Sequence, residues 1–235
     1  MNNPSTEKLS TKKFDTEKLH LGLMLALTFS TGMIDAVGYL GLDRVFTGNM
    51  TGNVVILGMA LTGADGLPVI GPVIALLLFM AGAATAGRVL RPIPQGWTPR
   101  STTLFGVVAA ILAVGAIASL AFPSHRPDAL NFIVTGALGY AMGMQAGAAR
   151  HIAIKDVTTV VVTSTLVGLA FDSRIAGGKG QPWKRRAGAI VLIGAGAAVG
   201  ALLLRFGLGY GMALAAIITI VVAALGHVGS RRTAG

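Results

Sequence analysis

Cysteine is missing from the chain, which removes disulfides, thiolate metal sites and cysteine nucleophiles from consideration. Charge is scarce: only 12% of the 235 residues are Asp, Glu, Lys or Arg, about half the ~25% of an ordinary soluble domain. The usual catalytic signatures are lacking too, with no nucleotide-binding loop, zinc-protease helix or nucleophile elbow. Gly177-Gly178-Lys179-Gly180 has neither the rest of a phosphate-binding loop nor a preceding strand. His20, His125, His151 and His227 fall at the ends of predicted elements without metal-ligand spacing. An enzyme is not expected, and neither is a cofactor or a metal.

What is present is apolar length. Hydrophobic residues make up 53% of the chain and the mean hydropathy is +0.72. Six windows of 18 or more residues are almost free of charge: Leu19–Leu42, Pro68–Gly87, Thr102–Phe122, Ala129–Ala149, Ala187–Leu204 and Phe206–Val228. Such windows are the mark of transmembrane helices, so the chain reads as an all-α polytopic membrane protein. The first window follows a polar stretch and exceeds the ~7–15 residues of a signal-peptide core, so it is expected to remain as the first span. Residues 1–18 and 229–235 form polar tails around a single transmembrane domain, 19–228.

The net charge of +10 lies in tails and short loops beside apolar spans, where Lys and Arg set orientation. Nucleic acid is therefore not expected as a partner. The bilayer is, and Lys8, Lys12, Lys13 and Lys18 can each add about 1 kcal/mol of attraction to anionic lipid. Self-association is left open.

Two polar, threonine-rich stretches interrupt the apolar pattern: Phe46-Thr47-Gly48-Asn49-Met50-Thr51-Gly52-Asn53, and Asp156 to Thr165. Each is followed by an apolar run too short to cross a bilayer comfortably. If both runs nonetheless span, the chain crosses eight times, and the Lys and Arg residues divide twelve to seven between the two sides. If Val45–Leu61 and Val157–Phe171 instead enter and return to the same side, six spans remain and the division becomes sixteen to three. The second arrangement fits the positive-inside rule better and places both termini in the cytoplasm.

The halves, about 19–122 and 129–228, echo one another. Gly32-Met33-Ile34-Asp35 resembles Gly143-Met144-Gln145. Thr51-Gly52-Asn53 resembles Thr163-Ser164-Thr165, and Ala81 to Ala84 with Arg91 resembles Ala195 to Ala198 with Arg205. With three spans per half, the second copy enters the membrane upside down. Such inverted repeats and broken helices are features of secondary transporters.

Polar, glycine-broken backbone at membrane depth is tolerated only against protein or a water-filled cavity. That singles out Thr47, Asn49, Thr51 and Asn53 from the first stretch and Thr159, Thr163 and Thr165 from the second as candidate solute ligands. Asp35 lies inside the first span, where a carboxylate costs at least ~2.5 kcal/mol. It is either a protonatable or cation-coordinating group facing the interior, or an interfacial carboxylate that pairs with Arg44 or caps the re-entrant segment. A half-helix starting near Asn53 would direct its positive end at an anionic group. The β-branched run Thr158–Thr165 favours extended backbone. Gln145, in the position that echoes Asp35, sits on a helix with Gly139, Gly143 and Gly147 at a spacing that admits a close neighbour. Trp97, in the broken loop Arg91–Pro99, suits an interfacial anchor.

Gly32 to Ala36, Phe46 to Asn53, Gly143 to Gln145 and Thr163 to Thr165 together resemble the YoaK-like family of bacterial integral membrane proteins, over roughly Leu19 to Leu225. The resemblance implies a bacterial inner-membrane protein with about six spans and no settled activity. Ala146 departs from it, because the family's second motif carries an asparagine after the glutamine. The expected function is a secondary transporter or permease for a small solute. The alternatives are a passive channel, or an accessory protein that binds a partner or lipid.

Overall fold

Every apolar window becomes a helix. The computed structural model describes residues 4–64, 66–122, 127–152, 162–178 and 183–234. Its α-helices are α1 (Pro4–Gly41), α2 (Met50–Leu61), α3 (Ile70–Leu90), α4 (Pro99–Ala121), α5 (Asp128–Ile152), α6 (Val162–Phe171), α7 (Trp183–Leu203) and α8 (Leu208–Ala234), with a short 3-10 turn at Arg174–Ala176. No strand occurs among the described residues. Local chemistry sets several boundaries. Thr98 accepts from the Ser101 N–H and Pro99 takes the first helical position of α4, where its missing N–H costs nothing. The Asn49 side chain accepts from the Gly52 N–H at the start of α2.

Six helices run the length of the bundle, and their contacts sort the ends. At one end His20 stacks on Trp97, His151 bonds to the Pro94 carbonyl, Arg185 pairs with Glu17 and Leu19 lies against Gly229. Lys18, Arg88, Arg91, Arg100, Arg150, Lys184, Arg185, Arg186 and Arg231 all belong to segments that meet there. At the other end Gly41 meets Leu204 and Leu208, and Gly209 meets Leu120; Arg44 and Arg205 are the described cations there. Five of the helices are long and apolar enough to cross a membrane: Thr16–Gly41 of α1, then α3, α4, α7 and Leu208–Arg231 of α8. Helix α5 is as long, but Asn131, Gln145, His151 and four glycines dilute its hydropathy. The helices α2 and α6, of 12 and 10 residues, extend only about 18 and 15 Å, short of the ~30 Å hydrocarbon core.

The helices pair as α1 with α7, α3 with α5 and α4 with α8. In the first two pairs glycine removes the side chain where backbones touch. A Cβ on Gly32 would fall on the Ile193 carbonyl, and one on Gly196 would fall on that of Phe29. Between α3 and α5 a Cβ on Gly143 would strike the Phe79 carbonyl, and one on Gly82 that of Tyr140. The glycine row of α5 is thus a packing face. Gly32 and Gly143 play the same part, and counting from them Asp35 corresponds to Ala146 and Gln145 to Ile34. Gln145 is therefore one residue away from the position that echoes Asp35.

Two other expectations change, and the first helix runs further than its apolar window. Helix α1 begins at Pro4, so the polar stretch up to Lys18 continues the first helix; Glu, Lys and Leu are good helix formers. Val162–Thr165 is helical rather than extended, since β-branching is a weak preference that tertiary context overrides; Thr158–Val161 lie outside the described residues. Trp97 is 8% exposed. It is no interfacial anchor, because its ring packs between His20 and Phe105 and beneath Gly226, and its indole N–H reaches the Thr102 hydroxyl at 3.0 Å.

Candidate functional site

After Gly41 the chain turns through Asp43 and Arg44, both at positive φ (59° and 56°). A guanidinium N–H of Arg44 donates to the Gly66 carbonyl at 3.0 Å, and the Val45 side chain fills the space a Cβ on Gly71 would need. The residues on either side of α2 are therefore held next to one another. Between those points Thr47, Gly48 and Asn49, just before α2, come to rest on Asp35 of α1, and α2 itself lies against α3.

Oδ1 of Asp35 accepts three backbone N–H groups: Thr47 at 3.0 Å, Gly48 at 2.7 Å and Asn49 at 3.2 Å. The anionic group at the positive end of α2 is thus the protein's own carboxylate. Asp35 does not pair with Arg44. Helix α2 starts at Met50, three residues before Asn53, because Asn49 and not Asn53 caps it. Asn53 is buried and clamps Phe46, its Oδ1 accepting the Phe46 N–H at 2.9 Å and its Nδ2 donating to the Phe46 carbonyl at 2.5 Å. This side chain replaces the pairing a strand neighbour would give an isolated peptide. Thr47 is fully buried against the Ile34 carbonyl.

A cavity of about 730 Å³ opens in front of this turn. Thr31 and Asp35 of α1, Asn49, Thr51 and Gly52 of the first polar stretch, and Val162 and Thr163 at the start of α6 line it, with Ile193 of α7 behind. Four candidates, Asp35, Asn49, Thr51 and Thr163, meet in one space. Thr47 and Asn53 stand behind the wall and hold its backbone. Gln145 is buried on α5 and donates to the Thr31 hydroxyl at 3.0 Å, while its Oε1 has no hydrogen-bond partner. It reaches the cavity through Thr31. Thr165 is buried away from the cavity, beside a small void shared with Thr28 and Ile190. Thr159 lies outside the described residues.

Sequence reasoning passed over Thr31, Tyr39 and Phe46. The rings of Tyr39 and Phe46 stack at 4.7 Å between centroids and both line the cavity. Thr31, Asp35 and Tyr39 recur at four-residue intervals on one face of α1, a signal available once Asp35 had been singled out.

The sequence profile of the family described as "Protein of unknown function (DUF1275)" matches residues 23–225. The chain belongs to this family. It is also similar to the UPF0700 transmembrane protein YoaK of Bacillus subtilis (strain 168), at 32% identity over 151 residues, covering 64% of this chain and 65% of that protein. The match thus spans a little under two thirds of the relative's length. No solved structure matches. Membership in DUF1275, together with five helices of spanning length and hydropathy, makes the chain a multi-pass membrane protein. The matched residues take in both halves of the cavity wall, from Thr31 to Ile193.

Proposed function

We propose that this DUF1275 member is a secondary transporter for a small solute, with six spans, two re-entrant segments and both termini in the cytoplasm of a bacterial inner membrane. One observation carries the reading: broken elements from both halves of the chain meet at a single cavity that contains a carboxylate inside a spanning helix, six residues before its end at Gly41. Midplane sites formed by discontinuous helices at a repeat interface are how secondary transporters hold their solutes.

Several further features support the arrangement. The Arg44 bond to Gly66 argues that α2 re-enters. At α6, Asp172 just beyond its end pairs with Arg186 at the start of α7, at 2.6 Å, which argues for a return to the basic end. The gathering of cations at one end favours that end as cytoplasmic. The packing partners agree with an inverted repeat: exchanging α1 with α5, α2 with α6, α3 with α7 and α4 with α8 maps the glycine contacts of one pair onto those of the other.

The absence of cysteine makes a direct test available. Single variants Thr51→Cys and Thr163→Cys, each on the cavity wall, are exposed to a membrane-impermeant maleimide in right-side-out and inside-out vesicles. A transporter that alternates between faces is labelled at both positions from both sides. Labelling restricted to one face in every condition overturns the reading and leaves a one-sided binding protein.

A further inference from the structure

We infer that the cavity takes a small organic cation, an amine or ammonium carrying an apolar body, with Oδ2 of Asp35 as its counter-ion. This assigns a solute class to the transport site proposed above and rests on that reading. All three hydrogen bonds to Asp35 fall on Oδ1. The oxygens divide the work: Oδ1 holds the re-entrant backbone, and Oδ2, which takes no hydrogen bond, is left for a ligand. A carboxylate offers about four acceptor positions, so one oxygen without a donor leaves room for a charged partner.

Charge selects the class. Among the described residues, Lys, Arg and His contribute nothing to the cavity wall, and Arg44, the closest cation in sequence, is engaged at Gly66. An anionic solute would face a buried carboxylate with no counter-charge among the described residues, a cost that burial makes severe. A cation meets the opposite situation, for it supplies the partner that Asp35 lacks.

The remaining wall describes the body of the ligand. Tyr39 lies one helical turn beyond Asp35 and stacks on Phe46, so a pair of aromatic rings lines the same cavity as the carboxylate; aromatic rings attract ammonium groups. Asp35, Tyr39, Phe46 and Ile193 also border a second, apolar groove of about 420 Å³ floored by Gly32, Ala36 and Ala197. A solute with a charged head at Asp35 can lay an apolar portion there. The larger cavity lies within the ~300–1,000 Å³ usual for small-molecule sites.

The test uses purified full-length protein in detergent and probes matched in shape. Radiolabelled benzyltrimethylammonium is the primary ligand. Neopentylbenzene, its uncharged carbon isostere, and phenylacetate, an anion of similar size, are the competitors, alongside phenethylamine and tetramethylammonium. We expect saturable one-to-one binding of the labelled cation, displacement by phenethylamine, none by phenylacetate, and at least tenfold weaker competition by neopentylbenzene. Asp35→Asn keeps the Oδ1 acceptor and should lose at least tenfold in affinity; Tyr39→Leu should lose a few-fold. If Asp35→Asn does not fold, the charge series on the unaltered protein decides alone. Equal competition by the neutral isostere, preference for phenylacetate, or binding of none of the three cations overturns the inference. In that last case, maleimide labelling from both faces would still leave the transport reading standing. Cation binding with labelling from one face would do the reverse.

Discussion

Oδ1 of Asp35 lies 2.7 Å from the backbone nitrogen of Gly48, 13 residues further along the chain. With Thr47 and Asn49 also donating to the same oxygen, one carboxylate closes the turn that begins α2. A buried donor left without a partner costs about 1–3 kcal/mol.

Asp35→Leu strands three donors, and we expect it to lower unfolding free energy in detergent by about 3 kcal/mol or more. Asp35→Asn retains an acceptor and should lose only about 1 kcal/mol. Denaturant unfolding followed by circular dichroism measures both; equal losses would mean that the capping bonds do not hold this turn.

Asn53 and Thr163 have the same polarity and different work. Asn53→Leu removes both bonds to the Phe46 backbone and should destabilise by about 2 kcal/mol. Thr163→Val, at an exposed position on the cavity wall, should leave the melting temperature within a degree or two while altering solute binding. A thermal melt of the two variants, with and without a bound cation, separates a structural clamp from a contact residue. Matching melts would contradict that division.

Two glycines on α7 give a matched pair. A Cβ on Gly196 would overlap the Phe29 carbonyl, whereas one on Gly194 meets nothing within 4 Å. Gly196→Ala should cost about 1–3 kcal/mol through forced separation of α1 and α7. Gly194→Ala should be neutral, or stabilising by up to about 1 kcal/mol, because alanine is the better helix former. Comparing their unfolding midpoints checks the α1–α7 contact.

Gln145 has an unfilled acceptor in the bundle interior. Gln145→Met removes that orphan at nearly constant volume, and the Thr31 hydroxyl keeps its bond to the Leu27 carbonyl. Stability should hold within about 1 kcal/mol or rise, as it commonly does when a residue kept for function is replaced. A fall of more than about 2 kcal/mol would make the amide a structural tie between α1 and α5.

The helices were readable because length and hydropathy alone separate spans from breaks: Pro68–Gly87 and Thr102–Phe122 lie within three residues of α3 and α4 at each end. Asp35 and the first threonine-rich stretch were also visible as polar residues out of place. The division of labour among them was not. A polar side chain at membrane depth satisfies either a ligand or the backbone, and composition is the same in both cases. Asn53 serves Phe46 and Asn49 serves Gly52, which only the fold of the turn decides. Trp97 misled for the opposite reason. A tryptophan in a Pro/Gly-broken loop looks like an anchor until Gly226 and His20 are seen to make a pocket for it.

That pocket gives the protein a built-in optical contrast. Of its two tryptophans, Trp97 is shut among rings and aliphatic chains, and Trp183, at the start of α7, is 56% exposed. Emission from the first lies to the blue of the second's and is shielded from iodide, while the second is within reach of quenchers dissolved in water. Trp183 lies three residues before Arg186, which ties α7 to the end of α6. A quenching curve thus resolves into a constant part from the core and a part that reports the start of α7, with no dye attached.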